Sequence, residues 1–179
     1  MSRVGNKIIE IDQSVEVNIS DQTVLMKGPK GELSCEIDPS ISIFFEENKL
    51  YLKRNSDKKD VKAKHGLYRA LIANIYIGVL QGFESALYLS GIGYRVALKG
   101  KNLEFSLGYS HPIIFEAEDG IEFSVEGQDK LTVKGIDKQL VGEVCAKIKK
   151  LRRKDVYKAK GIHFVGDRIV KKLGKKIKK

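Results

Sequence analysis

A chain of 179 residues with 42% hydrophobic side chains can bury one medium core or two small ones, which excludes a disordered polymer. Its longest apolar stretch, Leu71 to Leu80, is broken by Asn74 and falls far short of the ~20 residues a membrane span needs. The net charge of +10 is concentrated: residues 147–179 hold fifteen Lys and Arg against Asp155 and Asp167, a surplus of +13 that leaves residues 1–146 at −3. Such a division points to a polyanion at one end and different work at the other.

From Met1 to Lys7 the chain leads only to Ile8 and Ile9 before the acids Glu10 and Asp12, so no signal-type apolar run is expected and the cytoplasm is the expected compartment. Period-two alternation then runs through Val15, Val17, Ile19; Val24, Met26; Leu33, Cys35, Ile37; Ile41, Ile43, Phe45; and Leu50, Leu52. Turn residues separate these runs at Ser20-Asp21-Gln22, Gly28-Pro29-Lys30-Gly31 and Glu46-Glu47-Asn48, which predicts antiparallel strands joined by hairpins. Between Lys59 and Gln81 the period changes. Leu67, Leu71, Ile75 and Val79 recur four apart, predicting a helix with those residues in one stripe.

Gly82 is the expected helix stop and boundary between domains at 1–82 and 83–179. Strand pattern resumes from Ala86 to Leu98 around Gly91 and Gly93, at Leu103, Phe105, Leu107, and from Ile113 to Ala117. A hairpin from Ile121 to Val133 turns at Glu126-Gly127-Gln128-Asp129. Asp137 to about Arg152 reads as a second helix, capped by Asp137 and carrying Leu140, Val144, Ile148 and Leu151 on one face.

The halves resemble each other. Val24 to Gly28 is similar to Val96 to Gly100, and Ile41 to Leu52 is similar to Ile121 to Val133, each before a helix. The order hairpin, hairpin, helix occurs twice, with an insert around Ser110 to Asp119 in the second copy, so the expected class is α+β: two tandem, duplicated domains, each an antiparallel-rich sheet packed against a helix.

Familiar catalytic motifs fail on inspection. Gly91-Ile92-Gly93-Tyr94-Arg95-Val96 lacks the third glycine and following helix of a dinucleotide site, and Gly161 to Gly166 has phosphate-loop spacing but continues into Asp167-Arg168. Ser110-His111 is the nearest approach to a nucleophile and base, yet no acidic orienter accompanies it, and a turn accounts for it equally. Cys35 and Cys145 lie far apart without ligand spacing and read as reduced, buried thiols. His65, His111 and His163 would hold a metal only if the fold gathered them. No cofactor, metal or small-molecule substrate is expected.

Binding has positive support. Lys147 to Lys160 contains eight basic residues and one acid, spread over a helix end and a following loop, a pattern that releases counterions from a phosphate backbone. Tyr157 is placed either to stack on a base or to line a core edge, and Gly161 either allows close approach of backbone to a sugar-phosphate strand or makes a simple turn. Arg168 to Lys179 mixes Ile169, Val170, Leu173 and Ile177 with basic residues, consistent with a solvated tail, an RNA-contacting extension or a membrane-surface helix; the lack of Trp counts against the last.

Several segments, in order and over essentially the whole chain, resemble the bacterial form of the large-subunit ribosomal protein family numbered six. They are Met1-Ser2-Arg3-Val4-Gly5, Gly91-Ile92-Gly93-Tyr94-Arg95, Leu107 to Pro112, Lys134 to Gln139, and Arg152-Arg153 with Tyr157-Lys158 and Lys160-Gly161. The resemblance implies a duplicated, non-enzymatic protein whose C-terminal domain binds large-subunit (23S-type) ribosomal RNA near the sarcin-ricin region and stalk base. It implies an N-terminal domain turned toward factors and neighbouring ribosomal proteins. The RNA-contacting residues it implies are Arg152, Arg153, Tyr157, Lys158, Lys160 and Gly161, joined by Ser110 and His111; Lys154, where the family has a different residue, is added to them for its charge. The alternatives are another RNA-binding or RNA-modification factor and a membrane-surface adaptor.

One departure stands out. Lys154-Asp155-Val156 replaces the family's Pro-Glu-Pro and Ala159 replaces the first of its two glycines. Without the prolines, a loop that is less preorganised or an extended helix is expected, and Ala159 argues against positive φ at that position.

Overall fold

Alternating side chains build the N-terminal strands as the period-two pattern requires. The computed structural model describes residues 3–20 and 22–173; Met1, Ser2, Asp21 and residues 174–179 lie outside them. A short β1 (Ile9–Glu10) pairs with β6 (Lys49–Arg54), which pairs with β5 (Ile41–Glu46), while β2 (Glu16–Ser20), β3 (Thr23–Gly28) and β4 (Gly31–Glu36) form a meander. The β5–β6 turn uses two residues, Glu47 and Asn48, at φ 48° and 61°, so that Glu46 faces Lys49 across the hairpin. Helix α1 (Lys59–Leu80) closes this unit over a core including Ile9, Val24, Met26, Leu50, Leu52, Ile72 and Val79.

The buried stripe of α1 differs from the expected one. His65, Ile72, Gly78 and Val79 are buried and Leu67 is 54% exposed. Residues four apart advance about 40° past a full turn at each step, so a run of fours winds off the core face, whereas spacing by seven holds it. The helix buries an imidazole because the ring is partnered: His65 Nε2 lies 3.0 Å from the Leu52 carbonyl oxygen.

The chain divides into two compact units, one of Met1–Phe83 with Ile136–Lys138 and one of Glu84–Gly135 with Gln139–Lys179. In the second, β8 (Arg95–Lys99), β9 (Asn102–Ser106) and β10 (Ile113–Phe115) form a small antiparallel sheet. The larger sheet has the order β11 (Ile121–Glu126), β12 (Lys130–Gly135), β7 (Phe83–Ser90), β13 (Gly161–Phe164), and helix α2 spans Lys138–Leu151. Leu87, Leu89, Leu131, Val133, Val141, Val144, Cys145, Ile148 and Ile162 are all buried. The expected α+β class and duplicated order are present: β3–β4, β5–β6 and α1 recur as β8–β9, β11–β12 and α2.

Strands β1 and β13 were not anticipated, being too short for periodicity to announce. Strand β10 lies within the predicted insert. Cys145 is fully buried, whereas Cys35 is only half-buried. The described part of the tail, through Leu173, contains no helix; the amide of Lys172 donates to the Val156 carbonyl at 2.9 Å, and the rest of the expected amphipathic segment lies outside the described residues. Among the described residues no helix is long and apolar enough to cross a membrane.

Candidate nucleic-acid interface

Helix α2 ends with Lys149 and Lys150 in its last turn, where cations suit the negative end of the dipole. Not every lysine is available. Lys147 bridges Glu118 at 2.8 Å and Glu143 at 3.0 Å, and the Lys149 ammonium sits 4.2 Å from the Phe164 ring centroid. Lys154, by contrast, is exposed and stands 3.8 Å from Asp167, a looser contact that leaves its ammonium accessible to a phosphate.

The helix stops at Leu151, whose carbonyl accepts a hydrogen bond from the Tyr109 hydroxyl at 2.9 Å. Next in the chain, Arg152 donates from Nε to the Tyr94 hydroxyl at 3.1 Å and lays its guanidinium 4.9 Å from the Tyr109 ring centroid. Arg152 thereby gathers the Gly91–Tyr94 turn, the Leu107–Pro112 loop and the segment after α2. A Cβ on Gly91 would come within 2.7 Å of the Tyr94 ring, so that turn needs a residue without a side chain to seat the tyrosine.

The segment from Arg153 to Lys160 is a closed loop. The Asp155 amide donates to the Lys160 carbonyl at 2.7 Å and the Ala159 amide to the Asp155 carbonyl at 2.9 Å. Asp155 also organises the tip: its carboxylate accepts from the amides of Lys158 at 3.0 Å and Tyr157 at 3.2 Å. These amides, Lys158 first, hold the carboxyl below its usual range. The expected helix extension is therefore corrected: α2 ends at Leu151 and the following segment folds as a loop held by these hydrogen bonds. A carboxylate replaces fixed torsions as the organiser. Ala159 is buried at φ 61°, so the left-handed turn persists with a residue that resists it.

Beyond the loop, the Ile162 amide donates to the Arg152 carbonyl at 2.9 Å and β13 pairs with β7, joining Gly161 to Ser90. Gly161 is buried at φ 136°, and a Cβ there would meet Lys154 Cα at 2.6 Å and the Arg153 carbonyl oxygen at 2.7 Å. The need for glycine comes from the loop folding onto its own base.

Arg153, Lys154, Tyr157 and Lys158 are exposed, Tyr157 by 56%, while Arg152 and Lys160 are half-buried. Ser110 and His111 are exposed on the loop anchored by Tyr109, and among the described residues neither side chain has a hydrogen-bond partner. His65 and His163 are buried, and no group of three metal-ligating side chains occurs among the described residues. The sequence reading missed Tyr94, Tyr109 and Asp155 as parts of this site. The glycine-tyrosine adjacencies at Gly93-Tyr94 and Gly108-Tyr109 are the signal it had for the two tyrosines.

The arrangement offers cations and an exposed aromatic ring on a braced loop, suited to phosphates and an unpaired base. The model of the family described as ribosomal protein L6 matches residues 11–82 and 90–165. The chain is also 46% identical over 175 residues to the large ribosomal subunit protein uL6 of Natranaerobius thermophilus, covering 98% of each.

Proposed function

The chain belongs to the ribosomal protein L6 family, and on that footing we propose that it is a structural constituent of the large ribosomal subunit that binds large-subunit ribosomal RNA through its C-terminal unit. The reading extends to a contact near the sarcin-ricin region and stalk base, alongside neighbouring ribosomal proteins, in the cytoplasm, with no catalysis. The observation that carries it is the loop Arg153–Lys160, closed by its own backbone and by Asp155, with Arg153, Lys154, Tyr157 and Lys158 turned to solvent. A loop ordered in advance loses less entropy on binding than a flexible basic tail. Arg152 acts in this reading as the brace that ties the loop to Tyr94 and Tyr109, while Gly161 closes its base. Lys160, Ser110 and His111 form the margins.

Affinity for a large-subunit ribosomal RNA transcript, measured over a salt series, tests the proposal. A steep fall of log K with log salt is expected, and Lys154→Gln with Lys158→Gln lowers the slope by about 2, roughly one counterion per lost phosphate contact. Tyr157→Ala weakens binding by about 1–3 kcal/mol if the ring stacks on a base. A flat salt dependence for the native chain sinks the proposal.

A further inference from the structure

The −3 of residues 1–146 does not belong to the N-terminal unit. Residues 1–82 hold twelve Lys and Arg against eleven acids, and residues 83–146 hold six against ten. Within the near-neutral stretch the cations gather: Lys53 to Arg69 contains seven basic residues and two acids, Asp57 and Asp60. Some are committed internally. Arg54 pairs with Asp57 at 2.8 Å, Lys64 with Asp38 at 2.5 Å, and Arg69 donates to the Lys7 carbonyl at 3.1 Å. Lys58, Lys59 and Lys62 are exposed at the start of α1, with no ion pair within 4 Å among the described residues. Lysines there oppose the positive end of the helix dipole, so their placement does not serve the helix.

Lys53 links this group to the open face of β5 and β6. Its ammonium stands 4.9 Å from the Phe44 ring centroid and 5.5 Å from that of Tyr51. The two rings are direct cross-strand partners, stacked at 5.4 Å and 13°, on the face opposite the buried Leu50 and Leu52. At the other end of that face Glu46 stands opposite Lys49 across the hairpin, so the unopposed positive character lies at the Lys53 end. Only four residues separate Lys53 from Lys58, which keeps their Cα atoms within about 18 Å, the reach of a short stretch of polynucleotide.

We propose that Phe44, Tyr51 and Lys53, with Lys58, Lys59 and Lys62, form a second RNA-contacting surface, on the N-terminal unit. The aromatic pair supplies a platform for an unpaired base and the lysines meet the adjoining phosphates. The proposal rests on reading the chain as an RNA-binding ribosomal protein and gives an RNA partner to the unit expected to face proteins. The local charge surplus favours RNA, and an acidic protein segment would match the lysines while leaving the stacked rings without a partner.

The full chain, the variant K58Q/K59Q/K62Q and the variant K154Q/K158Q are titrated with one large-subunit ribosomal RNA transcript across a salt series. The first variant is expected to melt like the native chain and to lower the salt slope by about 2 to 3. Tyr51→Ala is expected to weaken binding about tenfold; Lys53→Gln, which leaves the sheet intact, is expected to weaken it in the same direction should Tyr51→Ala not fold. A native slope in K58Q/K59Q/K62Q together with a reduced slope in K154Q/K158Q overturns the inference and leaves the proposed function standing. A flat native titration removes both. Binding of polyglutamate that depends on the three lysines, with RNA binding unaltered, overturns the inference in favour of an acidic protein.

Discussion

The two units share a plan and differ in the segment that leaves the helix. The first leaves α1 through Gln81 and Gly82 into the next strand, whereas the second leaves α2 into a loop that returns as β13 to pair with β7. Each frame contains a glycine where a hairpin or loop presses its backbone on another stretch of backbone. A Cβ on Gly28 would lie 2.7 Å from the Val79 carbonyl oxygen, and one on Gly161 would lie 2.6 Å from Lys154 Cα. In the first unit that approach seats a hairpin on a helix. In the second it closes the loop carrying the proposed RNA contact. The two units thus share a frame, and in the second an additional strand, β13, anchors the basic loop.

The largest expected effect separates these two uses of glycine. Gly28→Ala and Gly161→Ala are each expected to destabilise by about 1–3 kcal/mol, because backbone cannot yield as a flexible side chain does; Gly161→Ala falls toward the upper end, its φ adding strain. Thermal melting measures both. RNA affinity below the melting range then distinguishes them: a loss confined to Gly161→Ala supports the division of roles, and equal losses break it.

A smaller effect is expected at Ala159, the one non-glycine residue with positive φ among the described residues of the second unit. Ala159→Gly is expected to gain up to about 1 kcal/mol by removing the Cβ penalty, raising Tm by about 2–4 °C. A lower Tm would mean that burial of the methyl group outweighs its strain.

The smallest effect is a pH dependence confined to the loop. Amides of Lys158 and Tyr157 lower the folded pKa of Asp155, so its contribution is fully present above the unfolded value near 3.9 and is lost as pH falls through the lower folded value. Protection of those two amides, taken relative to their intrinsic exchange rate at each pH, is expected to be steady from about pH 8 to 5 and to fall only below the ordinary carboxylate range. In Asp155→Asn the acid-induced step is expected to vanish. Loosening near neutral pH would show that another group holds the tip.

By itself the sequence determined what is local or periodic. Alternation marked the hairpins, a change of period marked both helices, and the order of elements exposed the duplication, because each signal lies within a few residues. The density of lysine and arginine after Lys147 was equally legible. Tertiary structure decided the rest. The bonds from Tyr109 to Leu151 and from Arg152 to Tyr94 span 42 and 58 residues, a separation no local pattern encodes. The inward stripe of α1 also needed the fold, since a helix of mixed apolar faces does not say which one meets a sheet. Gly161 looked like a possible place for RNA to approach, and only the folded chain shows Arg153 and Lys154 occupying that space. Charge can be read along a sequence because it belongs to each residue, whereas closeness belongs to pairs and exists only after the chain has folded.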